Sequence, residues 1–276
     1  MDTEHSVARS YTHGSLEATI LGALAASGKD IDRLTIGDLA PVDEFHIGGR
    51  QATIDFTSHL TITPTMRLLD IGSGIGGASR YLVHTHGCHV TGIDLTDEYV
   101  RVAQALAARV GLHRSVTYRQ GSALSLPFAP DSFDGATMLH VGMNIADKAV
   151  LFREVRRVLR PGAFFGIYDV MRDGEGDLAF PVPWALGAET SFLETAAMYR
   201  RLLEEAGFLV EHERGRRDFA VAFFAQLRAR MKAGTDAPSV GLHMLMGPTG
   251  PQKIANMVAN IDRGLIAPVE LIARAA

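Results

Sequence analysis

Cysteine is nearly missing from this chain. One residue in 276, Cys88, leaves no internal disulfide framework and fits a reducing compartment, so the expected location is cytoplasmic. A charge excess of either sign is missing too: 27 basic side chains stand against 31 acidic ones, a formal net charge of -4. That balance gives no electrostatic footprint for a nucleic-acid partner. Long apolar runs are also lacking. The longest early one, Leu16 to Ala26, contains Glu17, has no basic leader and falls short of the roughly 20 residues that span a bilayer, so neither a signal peptide nor a membrane anchor is expected. There is no internal repeat and no low-complexity tract, because the 28 glycines and 11 prolines are scattered at turns. A chain of this length can bury a full core as one large domain, or as one domain with a cap.

What is present is concentrated in residues 66 to 77, MRLLDIGSGIGG. An apolar run closes on Asp70 and opens at once into Gly72, Ser73, Gly74, Ile75, Gly76 and Gly77. Such a run reads as a buried strand of a parallel sheet, and the glycines let the backbone turn tightly and approach a ligand before a helix begins. This is the pattern of a nucleotide-type cofactor site. Gly72, Gly74 and Gly77 also satisfy the G-x-G-x-x-G spacing of dinucleotide binding, with Asp94 at the distance of a ribose-binding acid, so the loop alone leaves a nicotinamide oxidoreductase open.

From residue 66 to 171 short apolar strands alternate with longer helical segments, which predicts a doubly wound, mainly parallel α/β sheet with helices on both faces. Strands are expected at Met66–Ile71, His89–Leu95, Val116–Gln120, Phe133–His140 and Phe164–Met171. Leu151, Phe152, Val155, Val158 and Leu159 form one face of an amphipathic helix that stops at Arg160, Pro161 and Gly162. A loop from Arg172 to Glu189 carries the only tryptophan, Trp184, and reads as a lid. A helix ending near Ala206, a strand at Phe208–Glu213, helices near 218–232 and 250–263, and a strand at Leu265–Ala273 complete the expectation. The second of those helices has Thr249 as its cap and Pro251 in its first turn. Residues 1–60 are read as an N-terminal helical cap and 61–276 as the main domain, with lid or cap insertions at about 172–192 and 218–264.

LDIGSGIGG, VTGIDLT, GSALSLPFAPDSFDGATMLH and LFREVRRVLRPGAFFGIYDVM together resemble the class I S-adenosylmethionine-dependent methyltransferases, over roughly residues 43 to 214. Within them the chain is similar to small-molecule enzymes of the ubiquinone/menaquinone-biosynthesis and glycine/sarcosine/dimethylglycine methyltransferase kind. The run LPFAPDSFD followed by L-R-P-G is the most specific part, since a nicotinamide dehydrogenase has no reason to carry it. The resemblance implies a Rossmann-like sheet of seven strands, the last antiparallel, and S-adenosyl-L-methionine as cofactor. It implies that Gly72, Ser73 and Gly74 lie against the methionine part, that Asp70 orients the loop, that Asp94 accepts from the ribose hydroxyls, and that Leu95 packs on adenine. After the third strand the family often has an acid that meets the adenine amino group; here Ser122 stands there, beside Ala123. The implied partner is a small-molecule methyl acceptor, with neither nucleic acid nor membrane, and a homodimer stays open. A cofactor-binding protein of the same fold without catalysis is the alternative.

Methyl transfer needs alignment, exclusion of water and a place for the acceptor's proton, so no metal is expected. His140, with the right intrinsic pKa, and Asn144, four residues on, are the candidate catalytic pair. Tyr168 and Asp169 are further pocket candidates. In DEFHIGGRQAT, His46, Gly48 and Gly49 form a flexible, donor-rich turn, read either as a contact to cofactor or acceptor or as a surface turn. Trp184 offers a ring face to a cation or simple packing. Phe219, Phe223, Phe224, Met231, His243, Met244 and Met246 supply core or an acceptor cavity. His84, His86, Cys88 and His89 have ligand types suited to zinc but sit at the amino edge of the sheet, and read as a surface loop.

Overall fold

The computed structural model describes residues 3–12, 14–232 and 241–276. The chain opens with four helices, α1 (Thr3–Ser10), α2 (Leu16–Ala26), α3 (Ile36–Asp43) and α4 (Gly49–Thr57). It then alternates through β1 (Arg67–Ile71), α5 (Gly77–His86), β2 (His89–Asp94), α6 (Asp97–Arg109), β3 (Val116–Gln120), β4 (Phe133–Leu139), α7 (Lys148–Val158) and β5 (Leu159–Arg172). The remainder is α8 (Ala196–Glu205), β6 (Phe208–Gly215), α9 (Arg217–Lys232), α10 (His243–Met246), α11 (Gly250–Asp262) and β7 (Ile266–Ala275). The strands form one sheet in the order β3-β2-β1-β4-β5-β7-β6, in which β7 alone runs against its neighbours.

That order puts the strand reversal between β1 and β4, so a crevice opens beyond their carboxyl ends, where open α/β sheets bind ligands. Both faces of the sheet are covered because alternate residues point to opposite sides. Phe165, Met138 and Ile71 pack with Phe152, Val155 and Tyr199 on one face, while Phe164, Tyr168 and Leu68 pack with Phe56, Leu82 and Val100 on the other. The amphipathic stripe of α7 is fully buried, as its spacing predicts.

The expected strand limits shift in ways that have local causes. β4 stops at Leu139, because His140 takes a left-handed φ of 54° that a strand cannot continue. β5 begins at Leu159 instead of Phe164: Leu159 already pairs with Phe133, and the Arg160-Pro161-Gly162 stretch is absorbed as an irregularity in register. β6 and β7 each run two residues past their expected ends.

A buried ion pair fastens the N-terminal helices to the sheet. Arg80 on α5 has no exposed surface; it donates to Asp43 Oδ1 at 2.5 Å and to the Ile75 carbonyl at 2.8 Å. Burial draws the Asp43 carboxyl up to about 6, opposed chiefly by the charge of Arg80. Next to it, Glu44 accepts from Arg50 Nε at 2.6 Å and from the Thr53 hydroxyl at 2.8 Å. The loop between α3 and α4 is thereby held against the start of α5, where a Cβ on Gly77 would come within 2.3 Å of the Asp43 carbonyl.

The loop from Arg172 onward is packed over the far end of β5. Trp184 is buried among Val182, Phe224 and Val258 and donates its indole N–H to Ser191 Oγ at 3.0 Å, so its role here is packing and not cation contact. Phe224 and Met246 are core residues, Phe219 and Phe223 are half-buried, and His243 is exposed. The side chain of Met231 lies outside the described residues. Thr249 flanks α11 without capping it through its side chain.

Asp43→Ala leaves a buried guanidinium without its counter-charge and is expected to lower stability by about 3–5 kcal/mol in urea unfolding. Asp43→Ala combined with Arg80→Met is expected to recover most of that loss, because both charges are then gone.

Candidate functional site

At the end of β1, Asp70 accepts from Ser79 Oγ of α5 at 2.5 Å and from Thr137 Oγ1 of β4 at 3.1 Å. Burial pulls its carboxyl up to about 6, partly countered by those two hydroxyls. Asp70 therefore takes side-chain hydroxyls, not the free N–H groups of the following helix, and it sets the loop by fixing what flanks it. The loop itself is drawn toward β2: Gly72 N and Ser73 N both donate to the Ile93 carbonyl, at 2.8 and 3.0 Å, and Gly74 N donates to Asp94 Oδ2 at 2.8 Å. Gly72 has φ 65°, and a Cβ there would lie 2.3 Å from Val141. Only glycine fits that turn.

Asp94 closes β2. Its second oxygen accepts from Thr96 N at 2.8 Å, and burial raises its pKa against the two backbone donors. Each oxygen retains a further lone pair for a ligand. Gly121 N donates to the Asp94 carbonyl at 3.0 Å, which brings the chain after β3 alongside it.

These elements surround a cavity of about 400 Å³, whose lining includes Asp70, Gly72, Ser73, Gly74, Asp94, Leu95, Ala123, His46, His140 and Asn144. Ser122 and Gly49 are not in the lining. The Ser122 hydroxyl donates to Glu4 of α1 and accepts from Leu124 N at 3.0 Å, which turns it away from the cavity. Gly49 begins α4, and its carbonyl lies 3.2 Å from His46 Nε2, so it supports the histidine instead of reaching a ligand.

Two histidines face each other, with ring centroids 5.7 Å apart. Thr53 Oγ1 gives its proton to Glu44 and lies 3.0 Å from His46 Nε2, so that nitrogen carries the ring proton when His46 is neutral. Burial lowers the pKa of His46 and pushes that of His140 well below 6.5, with His46 adding to the second shift. His140 packs on Tyr168 at 4.9 Å between centroids, its main-chain N–H donates to the Tyr168 carbonyl at 2.7 Å, and its Nε2 is buried with no partner. A strained backbone and an unsatisfied nitrogen on a cavity wall point to a working group.

Asn144 is differently placed. Its Oδ1 accepts from the Tyr11 hydroxyl at 2.9 Å, and its Nδ2 donates to the carbonyls of Trp184 at 2.8 Å and Thr190 at 3.4 Å. Asn144 lines the same cavity as His140, and its amide braces α1 against the lid loop. Tyr168 donates to the Ile47 carbonyl at 3.0 Å, and Asp169 accepts from Tyr199 at 2.7 Å, so both are anchors outside the cavity.

Comparison with known proteins fits this geometry. Residues 69–167 match the family model of the methyltransferase domain. The chain is 34% identical over 111 residues to a sterol 24-C-methyltransferase of Gibberella zeae, covering 40% of this chain and 29% of that one. To an O-methyltransferase of Aspergillus sclerotiorum it is 29% identical over 178 residues, covering 63% of this chain and 66% of the other. The chain thus matches less than two thirds of the length of these curated relatives. A geranyl diphosphate C-methyltransferase from Streptomyces coelicolor A3(2), solved with Mg²⁺, geranyl-S-thiolodiphosphate and S-adenosyl-L-homocysteine, shares the fold with a TM-score of 0.71 at 16% identity, over 100% of this chain and 99% of that one.

The cavity lining among the described residues holds six carboxylates, on Glu4, Asp43, Glu44, Asp70, Asp94 and Asp147, and no lysine or arginine. Sequence reasoning passed over the contribution of α1, whose Thr3, Glu4 and Val7, with Tyr11 just beyond, line the cavity. The available signal was Val7 and Tyr11 at i and i+4, one face of a short helix. The histidine and cysteine group at 84–89 forms no candidate metal cluster among the described residues. The one group of ligand types that does converge there is His59, His212 and Glu270, but Arg214 and Arg216 already occupy both Glu270 oxygens.

Gly72→Ala is expected to cost about 1–3 kcal/mol of thermal stability, since alanine resists the left-handed turn and meets Val141. Val141→Ala in the same chain is expected to return only the steric part of that loss.

Proposed function

We propose that this protein is an S-adenosyl-L-methionine-dependent methyltransferase that places a methyl group on an N, O or C atom of a small-molecule acceptor. The observation that carries the reading is the loop Gly72–Gly74 tied to the Asp94 carboxylate, opening into a cavity where the His140 Nε2 has no partner. The residues present suit that cofactor. The buried Ser73 hydroxyl lacks a partner and borders the cavity, Gly74 leaves open space where a side chain would stand, and the carboxylate-rich lining favours a cationic ligand.

When bound, S-adenosyl-L-methionine supplies a sulfonium-activated methyl group for in-line displacement by the acceptor. The Gly72–Gly74 loop lies against its amino-acid end, Asp94 accepts from the ribose hydroxyls, and Leu95 and Ala123 line the slot for the base. His140 is neutral at pH 7 because burial disfavours its charged form, so its free nitrogen takes the proton that an O–H or N–H acceptor loses. A binding protein without turnover would not need that unpartnered nitrogen on the cavity wall. The setting we propose is cytoplasmic, in keeping with a single buried thiol at Cys88. No helix among the described residues is long and apolar enough to cross a membrane.

Asp94→Ala is expected to weaken S-adenosyl-L-methionine binding about 10- to 100-fold in titration calorimetry, the scale of losing charge-assisted hydrogen bonds. An unchanged affinity would overturn the assignment. With an acceptor found by screening for S-adenosyl-L-homocysteine release, kcat is expected to stay flat above neutral pH and to fall only well below pH 6.5, where His140 gains its proton. His140→Asn is expected to lower kcat by about 10²–10⁴-fold while donor affinity holds.

A further inference from the structure

Among the described residues, only one of the two imidazoles on the cavity wall has a carboxylate within ion-pair distance. Glu44 divides its oxygens: Oε1 accepts from Arg50 Nε at 2.6 Å, while Oε2 accepts from the Thr53 hydroxyl at 2.8 Å and lies 3.7 Å from His46 Nε2. Thr53 Oγ1 stands 3.0 Å from that nitrogen, and the Gly49 carbonyl 3.2 Å from it. Both oxygens accept, so Nε2 keeps its proton and the lone pair falls on Nδ1, which makes no hydrogen bond among the described residues. The His46 ring lines the cavity, 5.7 Å from that of His140 and edge-on to Tyr168 at 5.9 Å. At His140, burial and the neighbouring His46 both disfavour the charged form. At His46, burial and the more distant Arg50 disfavour it, but Glu44 and the Gly49 carbonyl pull the other way.

We propose that His46 is where the acceptor's proton comes to rest, with Glu44 and Thr53 as positioning residues that hold its imidazolium. The inference deepens the methyl-transfer reading above and rests on it. As the bond from the acceptor atom to the methyl carbon forms, the bond from that carbon to sulfur breaks and its electron pair stays on sulfur. The acceptor's proton goes to His140 and from there to Nδ1 of His46, whose Nε2–H then donates, as a charged group, to Thr53 Oγ1 and through it to Glu44. A charge-assisted hydrogen bond and an ion pair favour the proton on this ring over the other. One positive charge is lost at sulfur and one appears on His46, so the carboxylate-lined cavity keeps its net charge while His140 returns to its neutral form.

The test follows both rings by NMR in the full chain, labelled at histidine and bound to S-adenosylhomocysteine, as the pH is lowered. His46 is expected to take up its proton first and His140 only at lower pH, with neutral His46 protonated at Nε2. Glu44→Gln is expected to lower the His46 midpoint by about one pH unit or more, tenfold in proton affinity, the scale for losing an opposite charge at this range. Because that change also unpairs Arg50, Thr53→Val is the second variant: it is expected to lower the proton affinity of His46 about 3- to 10-fold, and Thr53→Ser to restore it. Across a panel of phenols, alcohols and primary amines, S-adenosylhomocysteine release is expected to fall by a similar factor in Thr53→Val and to return in Thr53→Ser, at unchanged affinity for S-adenosyl-L-methionine. Protonation of His140 ahead of His46, or a Thr53→Val chain with unchanged His46 titration or unchanged turnover, would overturn the proposal and leave the donor assignment standing. Failure of the wild-type chain to bind S-adenosylhomocysteine would overturn both.

Discussion

Arg80 carries a full positive charge at a place water does not reach, and the rest of the site is arranged around that fact. An unpaired buried guanidinium costs several kcal/mol, so the chain from α3 to α4 must lay Asp43 against it. Doing so brings Glu44 and His46 over the glycine loop, and places the Arg80 donors on the Ile75 carbonyl inside that loop. One ion pair thus ties the cap, the cofactor loop and the helix after it into a single unit. With the packing of Leu39 and Val42 around Ile75, it fixes the spacing between the roof and the floor of the cavity.

The cavity's charge follows the same economy. Its carboxylates are each held by donors from the fold: Asp70 by two hydroxyls, Asp94 by two backbone N–H groups, Glu44 by Arg50 and Thr53. They are set before any ligand arrives, which limits the reorganisation that binding requires. Against this background the two histidines are neutral at pH 7, since burial outweighs the attraction of Glu44 for His46, and at His140 burial and the neighbouring His46 both disfavour the charged form. An acidic lining with neutral bases at one end suits a positively charged donor and an acceptor that sheds a proton.

Much of the sheet was legible because buried parallel strands leave continuous apolar runs and amphipathic helices leave a 3.6-residue stripe. Val116–Gln120 has the expected limits, and the α7 stripe is buried as expected. The glycine loop and Asp94 were legible for a different reason: their spacing is a local requirement of the turn. What sequence did not disclose was long-range. Nothing in the residue types distinguishes an Asn144 that braces two segments from one that faces substrate, since its partners are Tyr11, Trp184 and Thr190. Ser122 and Gly49 stand outside the cavity lining for a similar cause, a side chain or carbonyl satisfied by a neighbour distant from the motif or just beyond it. The pairing of Asp43 with Arg80 spans 37 residues and has no periodicity to betray it.

The first helix closes one side of the cavity. Among the contacts that hold it are buried Val7, the Ser122 hydroxyl on Glu4 and, through Tyr11, Asn144 and the Tyr99 ring. The bond from Ser122 to the Glu4 carboxylate is of the charge-assisted kind, about 1.5–3 kcal/mol, and the neutral one from Tyr11 to Asn144 contributes about 1 kcal/mol. Because that wall comes from a separate stretch of chain and not from the sheet, its side chains can vary without disturbing the strands that hold the glycine loop.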